Sequence, residues 1–210
     1  MAESVLVALG GTTASSENGV LRALRAALSE SFPEFTHHVL DMDLDLELDP
    51  ATRQYSPRDF DFEDLLSKVS AVLAEPLTVV LLSGRYALFD PVVAALSALK
   101  VFVDTDDDTR LISLIRSQSP QTPDALSGLL EDYVHHVRNE DRDYVKPTRA
   151  RADLIIPHSN DVSLGVAIIV DGLHRCLDNN MATASTVPGT ARSFAVEQLD
   201  ALSGRYFDAA

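Results

Sequence analysis

The chain predicts an α/β protein built on a doubly wound, parallel, five-stranded sheet, and three observations carry that expectation. Short continuous apolar runs recur along it: "VLVAL" near the start, "LTVVLLSG" at 77–84, "LKVFVDT" at 99–105 and "ADLIIP" at 152–157. Runs of this length without polar alternation suit parallel strands covered on both faces. Stretches with apolar residues at helical spacing separate them, as in sheets wound by crossover helices. A glycine-containing turn, "GGTTASSENGV" at 10–20, joins the first run to the first helical stretch.

Taken in order, residues 4–9 read as a buried first strand. From Gly19 to Ser31, Val20, Leu21, Leu24, Ala27 and Leu28 recur at helical spacing. "HHVLDMDLDLELD" (37–49) alternates from Leu40 onward, which predicts a second strand that becomes a carboxylate-lined edge. "FDFEDLLSKVSAVLAE" is helical, with Phe62, Leu65, Leu66, Val69 and Leu73 on one face. The runs at 77–84 and 99–105 supply strands three and four. A helix starts at Thr105, and "SQSPQTP" (117–123) breaks it. A long polar helix is expected from Asp124 toward Tyr144. "ADLIIP" is the last strand and "SLGVAIIVDGLHRCL" its closing helix.

The expected domain spans 1–177. Residues 178–192, small and polar, read as a linker, and 193–210 as a C-terminal amphipathic helix with Phe194, Leu199, Leu202 and Tyr206. At 210 residues one such domain can bury a substantial core. Nothing approaches the roughly 18 apolar residues of a membrane span, and no secretory signal pattern opens the chain. The single cysteine, Cys176, fits a reducing compartment and reads as helical filler. A cytoplasmic or nucleocytoplasmic location is expected. The formal charge of −15 opposes nucleic acid and anionic membrane as partners.

Nucleoside triphosphates are polyanions too, so an ATP site would need a local cluster of cations. A phosphate loop works through successive backbone N–H groups, a Lys on the β/γ phosphates and a Ser/Thr hydroxyl on Mg²⁺. The stretch Gly11 to Asn18 has the spacing of G-x4-G-K-[ST] and departs from it at the last three positions, Ser16, Glu17 and Asn18. Glu17 reverses a charge where the phosphates would lie. A unit pair about 4 Å apart at an effective dielectric near 20 interacts by about 4 kcal/mol, so the reversal weakens binding by several powers of ten. As a bare motif, an ordinary strand–helix turn explains the stretch better.

Two long segments change that reading. "LKVFVDTDDDTRLISLIR" (99–116) resembles a segment of uridine–cytidine kinases, F-V-D-T-D-x-D-T-R-L. "LLEDYVHHVRNEDRDYVKPTRARADLIIPHSNDVSLGVAIIV" (129–170) is similar to that family's Y-x-x-x-V … P-T-x-x-x-A-D-x-I-I-P-x-G segment. There Tyr133, Val137, Pro147, Thr148, Ala152, Asp153, Ile155, Ile156, Pro157 and Asp161 fall on matching positions. "VLDMDLDL" stands in place of S-Q-D-S-F-Y, "SPRDFDFEDLL" resembles H-P-x-A-F-D, and "VVLLSGRYALF" resembles V-V-[IL]-x-E-G-I-L-x-[FL]. The resemblance covers nearly all of 4–177. It implies a nucleoside-kinase-like P-loop NTPase fold and makes Gly10, Gly11, Ser15, Ser16, Glu17 and Asn18 the phosphate-loop equivalents, with a degenerate Walker A sequence.

By that resemblance the family's catalytic Asp, general base toward the nucleoside 5′-hydroxyl, falls on Asp43, with Asp41 and Asp45 as neighbouring carboxylates. The Glu after the third strand is Ser83 here, and the tyrosine at the end of the strand-two motif is Leu46. The nucleoside-contacting segment between strands two and three is shortened. Arg110 matches the helix arginine and Arg116 stands for the next. The R-G-R lid has become "SQSPQTPDALSG", without a cation, and the glutamine beside Tyr133 is Asp132. Lid arginines stabilise charge on the transferring phosphoryl group, so the main electrostatic catalysts are missing.

Other polar clusters read as structural. Asp104, Asp106, Asp107 and Asp108 sit at a helix start, where carboxylates cap N–H groups and offset the dipole. "DMDLDLELD" lacks the central Gly and terminal Glu of a calcium loop. His37-His38 and His135-His136 lack zinc-ligand spacing, and Ser15, Ser16 and His158 form no triad pattern. No metal site is expected. The expected function is that of a uridine-kinase-like pseudokinase working by protein interaction or regulation in pyrimidine salvage. Its partners would be further copies of itself, an active nucleoside kinase or a uracil phosphoribosyltransferase, and a nucleoside is a candidate ligand. The competing expectation is an active uridine/cytidine kinase with an atypical phosphate site, and only that reading calls for Mg·ATP.

Overall fold

The computed structural model describes residues 4–11, 19–43, 52–157 and 161–184, with backbone alone for 178–184. Its centre is a five-stranded, fully parallel sheet in the order β2-β3-β1-β4-β5. The strands are β1 (Val5–Gly11), β2 (Thr36–Asp41), β3 (Thr78–Ser83), β4 (Leu99–Asp104) and β5 (Leu154–Pro157). The fold class and strand number read from the apolar runs are those observed.

Alternate residues of β1 feed two separate cores, as a pleated strand covered on both sides requires. Val5, Val7 and Leu9 pack with Leu21, Leu24 and Leu28 of α1 (Gly19–Ser31) and with Ile169 and Leu173 of the last helix. Leu6 and Ala8 face the other way, toward Val69 of α2 (Phe62–Leu73), Tyr86 and Leu88. No helix among the described residues is long and apolar enough to cross a membrane.

The second strand differs from the expected one. It lies in "THHVLD" and ends at Asp41, before the alternating carboxylates. The reason is local: the Asp41 side chain accepts the Asp43 N–H at 3.0 Å, a turn that Asp side chains form with the backbone two residues on. The remainder of the expected carboxylate edge, 44–49, lies outside the described residues.

Helices follow β3 and β4. A short α3 (Pro91–Leu96), not foreseen, is capped by Asp90. α4 (Asp107–Gln118) is capped by Asp106, whose side chain accepts the Thr109 N–H. Ser119, with φ of 43°, stops it in the left-handed region, and α5 (Pro123–Asp132) restarts after the Thr122 cap.

The expected long polar helix is interrupted. After α5 come a π turn (Tyr133–Val137), a single α turn α6 (Arg138–Glu140), a second π turn (Asp141–Val145) and a 3₁₀ stretch to Arg151. π turns are rare and often accompany functional sites. Glu140 and Asp141, adjacent in sequence, are both buried there. The closing helix α7 runs Ser163–Ala184, so it continues past Leu177 into the stretch read as linker. The rest of that linker and the C-terminal extension lie outside the described residues.

Two glycines shape the carboxyl edge of the sheet. Gly11, at the end of β1, has φ of +124°, and a Cβ there would meet the Val103 carbonyl at 2.3 Å. Gly84, after β3, has φ of +154°, and a Cβ would lie 2.6 Å from that of Met42. Gly84→Ala is expected to cost about 1–3 kcal/mol in urea unfolding, since it combines that contact with a backbone side chains disfavour. Gly128→Ala in α5, where nothing lies within 4 Å, should instead gain about 0.5–1 kcal/mol.

Candidate functional site

The carboxyl ends of β1, β2 and β3 are level, with Leu9 and Asp41 both in register with Ser83. Outside that edge, the usual place for ligands in an open α/β sheet, lies a cleft of about 590 Å³. Leu114 and Gln118 of α4, Ala125, Gly128 and Leu129 of α5, and Phe60 line it. Its polar wall comprises Asp43, Arg53, Tyr55, Arg85, Asp132 and Glu140. The volume suits a small organic ligand.

The polar wall is one connected chain of charge. Asp43 leaves the Asp41 turn and accepts two bonds from a single residue: Arg85 Nε at 3.0 Å to Oδ1 and the Arg85 backbone N–H at 3.2 Å to Oδ2. Arg85 Nη1 reaches on to Glu140 Oε2 at 3.1 Å, where Arg53 Nη2 also donates at 2.6 Å. The Tyr86 hydroxyl donates to the other Glu140 oxygen at 2.9 Å. The Glu140 side chain is only 2% exposed and so depends on these three donors. Burial alone would lower the Arg85 pKa, and Asp43 and Glu140 outweigh it and hold it above its usual range. Burial and Glu140 likewise push Tyr86 upward.

Tyr55 closes the wall. Its backbone sits in the left-handed region, φ 53°, a strain that neighbouring contacts must hold. Its hydroxyl donates to Asp132 Oδ1, its ring stacks on His136 with centroids 4.7 Å apart, and Arg53 lies 4.2 Å over its ring. Burial, then the bond to Asp132, pushes its pKa up to about 12.

The residues singled out from the sequence do not share one place. Asp43 and Asp132 share the cleft. Arg110 and Tyr133 belong to a second, adjacent network at the start of α4. There Arg110 forms ion pairs with Asp141 at 2.8 Å and Asp107 at 3.2 Å and donates to the Thr105 carbonyl. The Tyr133 hydroxyl donates to the Asp107 carbonyl at 2.9 Å. Lys146 bonds Asp107 at 2.8 Å, which holds the Asp107 carboxyl below its usual range, while burial raises Asp141. Asp106 and Asp107 thus cap and brace α4, and no three His, Cys, Asp or Glu among the described residues converge as metal ligands. Ser83 is buried at the strand end, and its carbonyl accepts the Met42 N–H. Arg116 is exposed on α4 and does not line the cleft. Of the phosphate-loop equivalents, Gly10 and Gly11 end β1, and Ser15, Ser16, Glu17 and Asn18 lie outside the described residues.

Arg53, Tyr55, Arg85 and Glu140 were not singled out by sequence reasoning. A signal existed for one pair: Arg85-Tyr86 stands where the resembling motif has Ile-Leu, and an apolar pair turned into Arg-Tyr at a strand end needs a partner.

Two outcomes test the chain of charge. Glu140→Ala leaves two guanidinium groups without their shared carboxylate and is expected to cost about 3–5 kcal/mol in denaturant unfolding. In an alkaline titration followed by ultraviolet absorbance, Tyr55 should ionise near pH 12 rather than 10. A tyrosine pKa raised by folding contributes stability that is full below the unfolded value and lost as pH rises through the folded one. Tyr55→Phe should therefore remove one late-titrating group and flatten the loss of stability in that window.

The geometry agrees with the comparisons to known proteins. The family model described as Phosphoribulokinase / Uridine kinase family matches residues 44–165, more than half of the chain. "Putative uridine kinase DAS2" of Saccharomyces cerevisiae is 29% identical over 223 residues, covering 97% of this chain and 95% of the yeast protein. The uridine kinase of Alkaliphilus metalliredigens is 32% identical over 111 residues, and that match spans 53% of each chain. Among solved structures, the Mycobacterium tuberculosis APS kinase CysC superposes with a TM-score of 0.53 at 20% identity, over 83% of this chain and 99% of that one. That likeness concerns the fold. The parallel sheet with its cleft at the strand ends, and the family match over 44–165, lead to one conclusion: this chain belongs to the phosphoribulokinase/uridine kinase family.

Proposed function

We propose that the chain is a uridine-kinase-like protein that has given up ATP-dependent phosphoryl transfer. It is then a pseudokinase with a degenerate Walker A sequence, acting by protein association or regulation tied to pyrimidine-nucleoside salvage. The observation that carries this reading is the charge state of the cleft. Among the described residues its two lining cations, Arg53 and Arg85, are each committed to carboxylates. Three lining carboxylates, Asp43, Asp132 and Glu140, outnumber them. Phosphoryl transfer is catalysed chiefly by cations aimed at the transferring group, and this lining offers a net negative surface.

Two further features support it. The stretch "SQSPQTPDALSG" (117–128), from the end of α4 into α5, carries no cation where the resemblance places the lid. Glu17 inverts the charge of the phosphate-loop lysine. Mg·ATP, the co-substrate the family implies, therefore does not suit the residues present, and no step through it follows. The association partners rest on the family resemblance alone: a second copy, an active nucleoside kinase or a uracil phosphoribosyltransferase, in a reducing cytoplasmic setting.

One observation favours the second reading, an active uridine/cytidine kinase. Asp43 stands in the turn just past the end of β2, on the wall of a nucleoside-sized cleft, where a general base would stand. That reading requires phosphate transfer to uridine or cytidine that disappears in Asp43→Ala.

Calorimetry with Mg·ATP and Mg·GTP tests the proposal. No heat of binding is expected for either, and micromolar affinity for one of them would overturn it. Glu17→Lys combined with Ser16→Gly is expected to leave binding weak, because the lid lacks a cation and the described cleft arginines are held by carboxylates. Uncharged uridine or cytidine should bind ahead of its 5′-monophosphate, whose phosphate would have to take Arg85 from Asp43.

A further inference from the structure

We infer that Arg85 is an internal occupant of the cleft, an autoinhibitory clasp whose guanidinium holds the place at Asp43 that a ligand hydroxyl would take. The inference deepens the reading above and rests on the cleft being this family member's ligand site. Four observations carry it. Both Asp43 oxygens accept from Arg85, one from Nε and one from the backbone N–H. Both residues line the cleft, and the Arg85 side chain is 30% exposed there against 15% for Asp43. Arg85 has a second carboxylate in reach, Glu140 at 3.1 Å. Glu140 keeps Arg53 and Tyr86 as donors whatever Arg85 does.

Bonds to an ionised pair are roughly twice as strong as neutral ones. A sugar-like hydroxyl offers Asp43 one neutral donor and loses to the guanidinium. The clasp is also a substitution: in the resembling motif V-V-[IL]-x-E-G-I-L, this chain replaces the acidic residue by Ser83 and the first apolar one by Arg85. A negative charge has left the strand end and a positive one has arrived two residues later. The β3 end has thus changed from a surface that adds a carboxylate to the cleft into one that silences the carboxylate already there.

The guanidinium reaches both carboxylates at once, Asp43 through Nε and Glu140 through Nη1, so it can release one and keep the other. With Arg85 Nε on Oδ1, a ligand hydroxyl has to compete with a charged donor at that oxygen. With the Arg85 side chain drawn toward Glu140 alone, Asp43 Oδ1 is open while Oδ2 keeps the Arg85 backbone N–H, and the Glu140 cluster holds the released cation. A ring of nucleoside size bearing hydroxyls is the ligand class that gains from this change. A phosphorylated ligand is not, since it would compete with Asp43 for Arg85 and leave that carboxylate beside its own charge.

Uridine and cytidine titrated calorimetrically into wild type, Arg85→Leu and Arg85→Leu/Asp43→Asn test the clasp. Arg85→Leu should gain about tenfold or more in affinity for one of the two nucleosides, and adding Asp43→Asn should abolish the gain. A folded Arg85→Leu that binds no better than wild type overturns the clasp, and so does a gain that survives Asp43→Asn. If Arg85→Leu does not fold, Arg85→Gln, which removes the charge and keeps a polar stem, carries the same expectation. Unfolding of both assigns Arg85 a purely structural part and overturns the inference. Mg·ATP binding by wild type would sink the pseudokinase reading without touching this result, so the two failures are distinguishable.

Discussion

Everything on the polar side of the cleft depends on the satisfaction of one buried carboxylate, Glu140. A carboxylate removed from water is stable in its charged form only with cations and hydrogen-bond donors around it. Arg53 supplies one donor, and the adjacent Arg85 and Tyr86, just past the end of β3, supply the others. Once Arg85 is anchored there, its Nε and backbone N–H fix Asp43, and Arg53 is held over the Tyr55 ring. The wall of the cleft follows from where Glu140 sits. Ion pairs of this kind contribute modestly to stability against an apolar alternative, and their strength lies in geometry: removing one member strands the others.

The neighbouring network at the start of α4 explains how Glu140 comes to be there. Asp107 gathers Lys146, Arg110 and Arg138, and Asp141 faces Arg110 and Lys146. These pairs pin the run from Tyr133 to Val145 against α4 through two π turns, with Glu140 and Asp141 side by side. Arg110 and Tyr133, which resemble family site residues, lie within this network. Among the described residues, the cleft arginines are each paired with a carboxylate, and the carboxylates outnumber them.

The fold was legible in the sequence almost throughout. Strands covered on both faces must be continuously apolar, so "VLVAL", "TVVLL" and "KVFV" announce themselves, and α1 coincides with its predicted span. The miss at β2 came from reading alternation where an Asp side chain turns the chain: Asp41 bonding the Asp43 N–H is a local event that hydrophobic periodicity does not register. The π turns escaped for a similar reason, since they preserve helical composition while widening the hydrogen-bond ring. Of the site, Asp43 and Asp132 were legible through resemblance to family positions. Arg53 and Glu140 were not, because an ion pair spanning 87 residues leaves no mark on either neighbourhood. Arg85 stood in plain sight as a charge in an apolar motif.

The central claim is that the arginines of this cleft, among the described residues, are held by carboxylates and are not left for a transferring phosphate. Its most direct test is phosphoryl transfer itself. The purified full chain is incubated with Mg²⁺, ATP labelled in the γ-phosphate and either uridine or cytidine, and labelled nucleoside monophosphate is separated and counted. The account predicts no label above the level of an Asp43→Ala control with either nucleoside. Label that accumulates with time in the wild-type chain and vanishes in Asp43→Ala would contradict it.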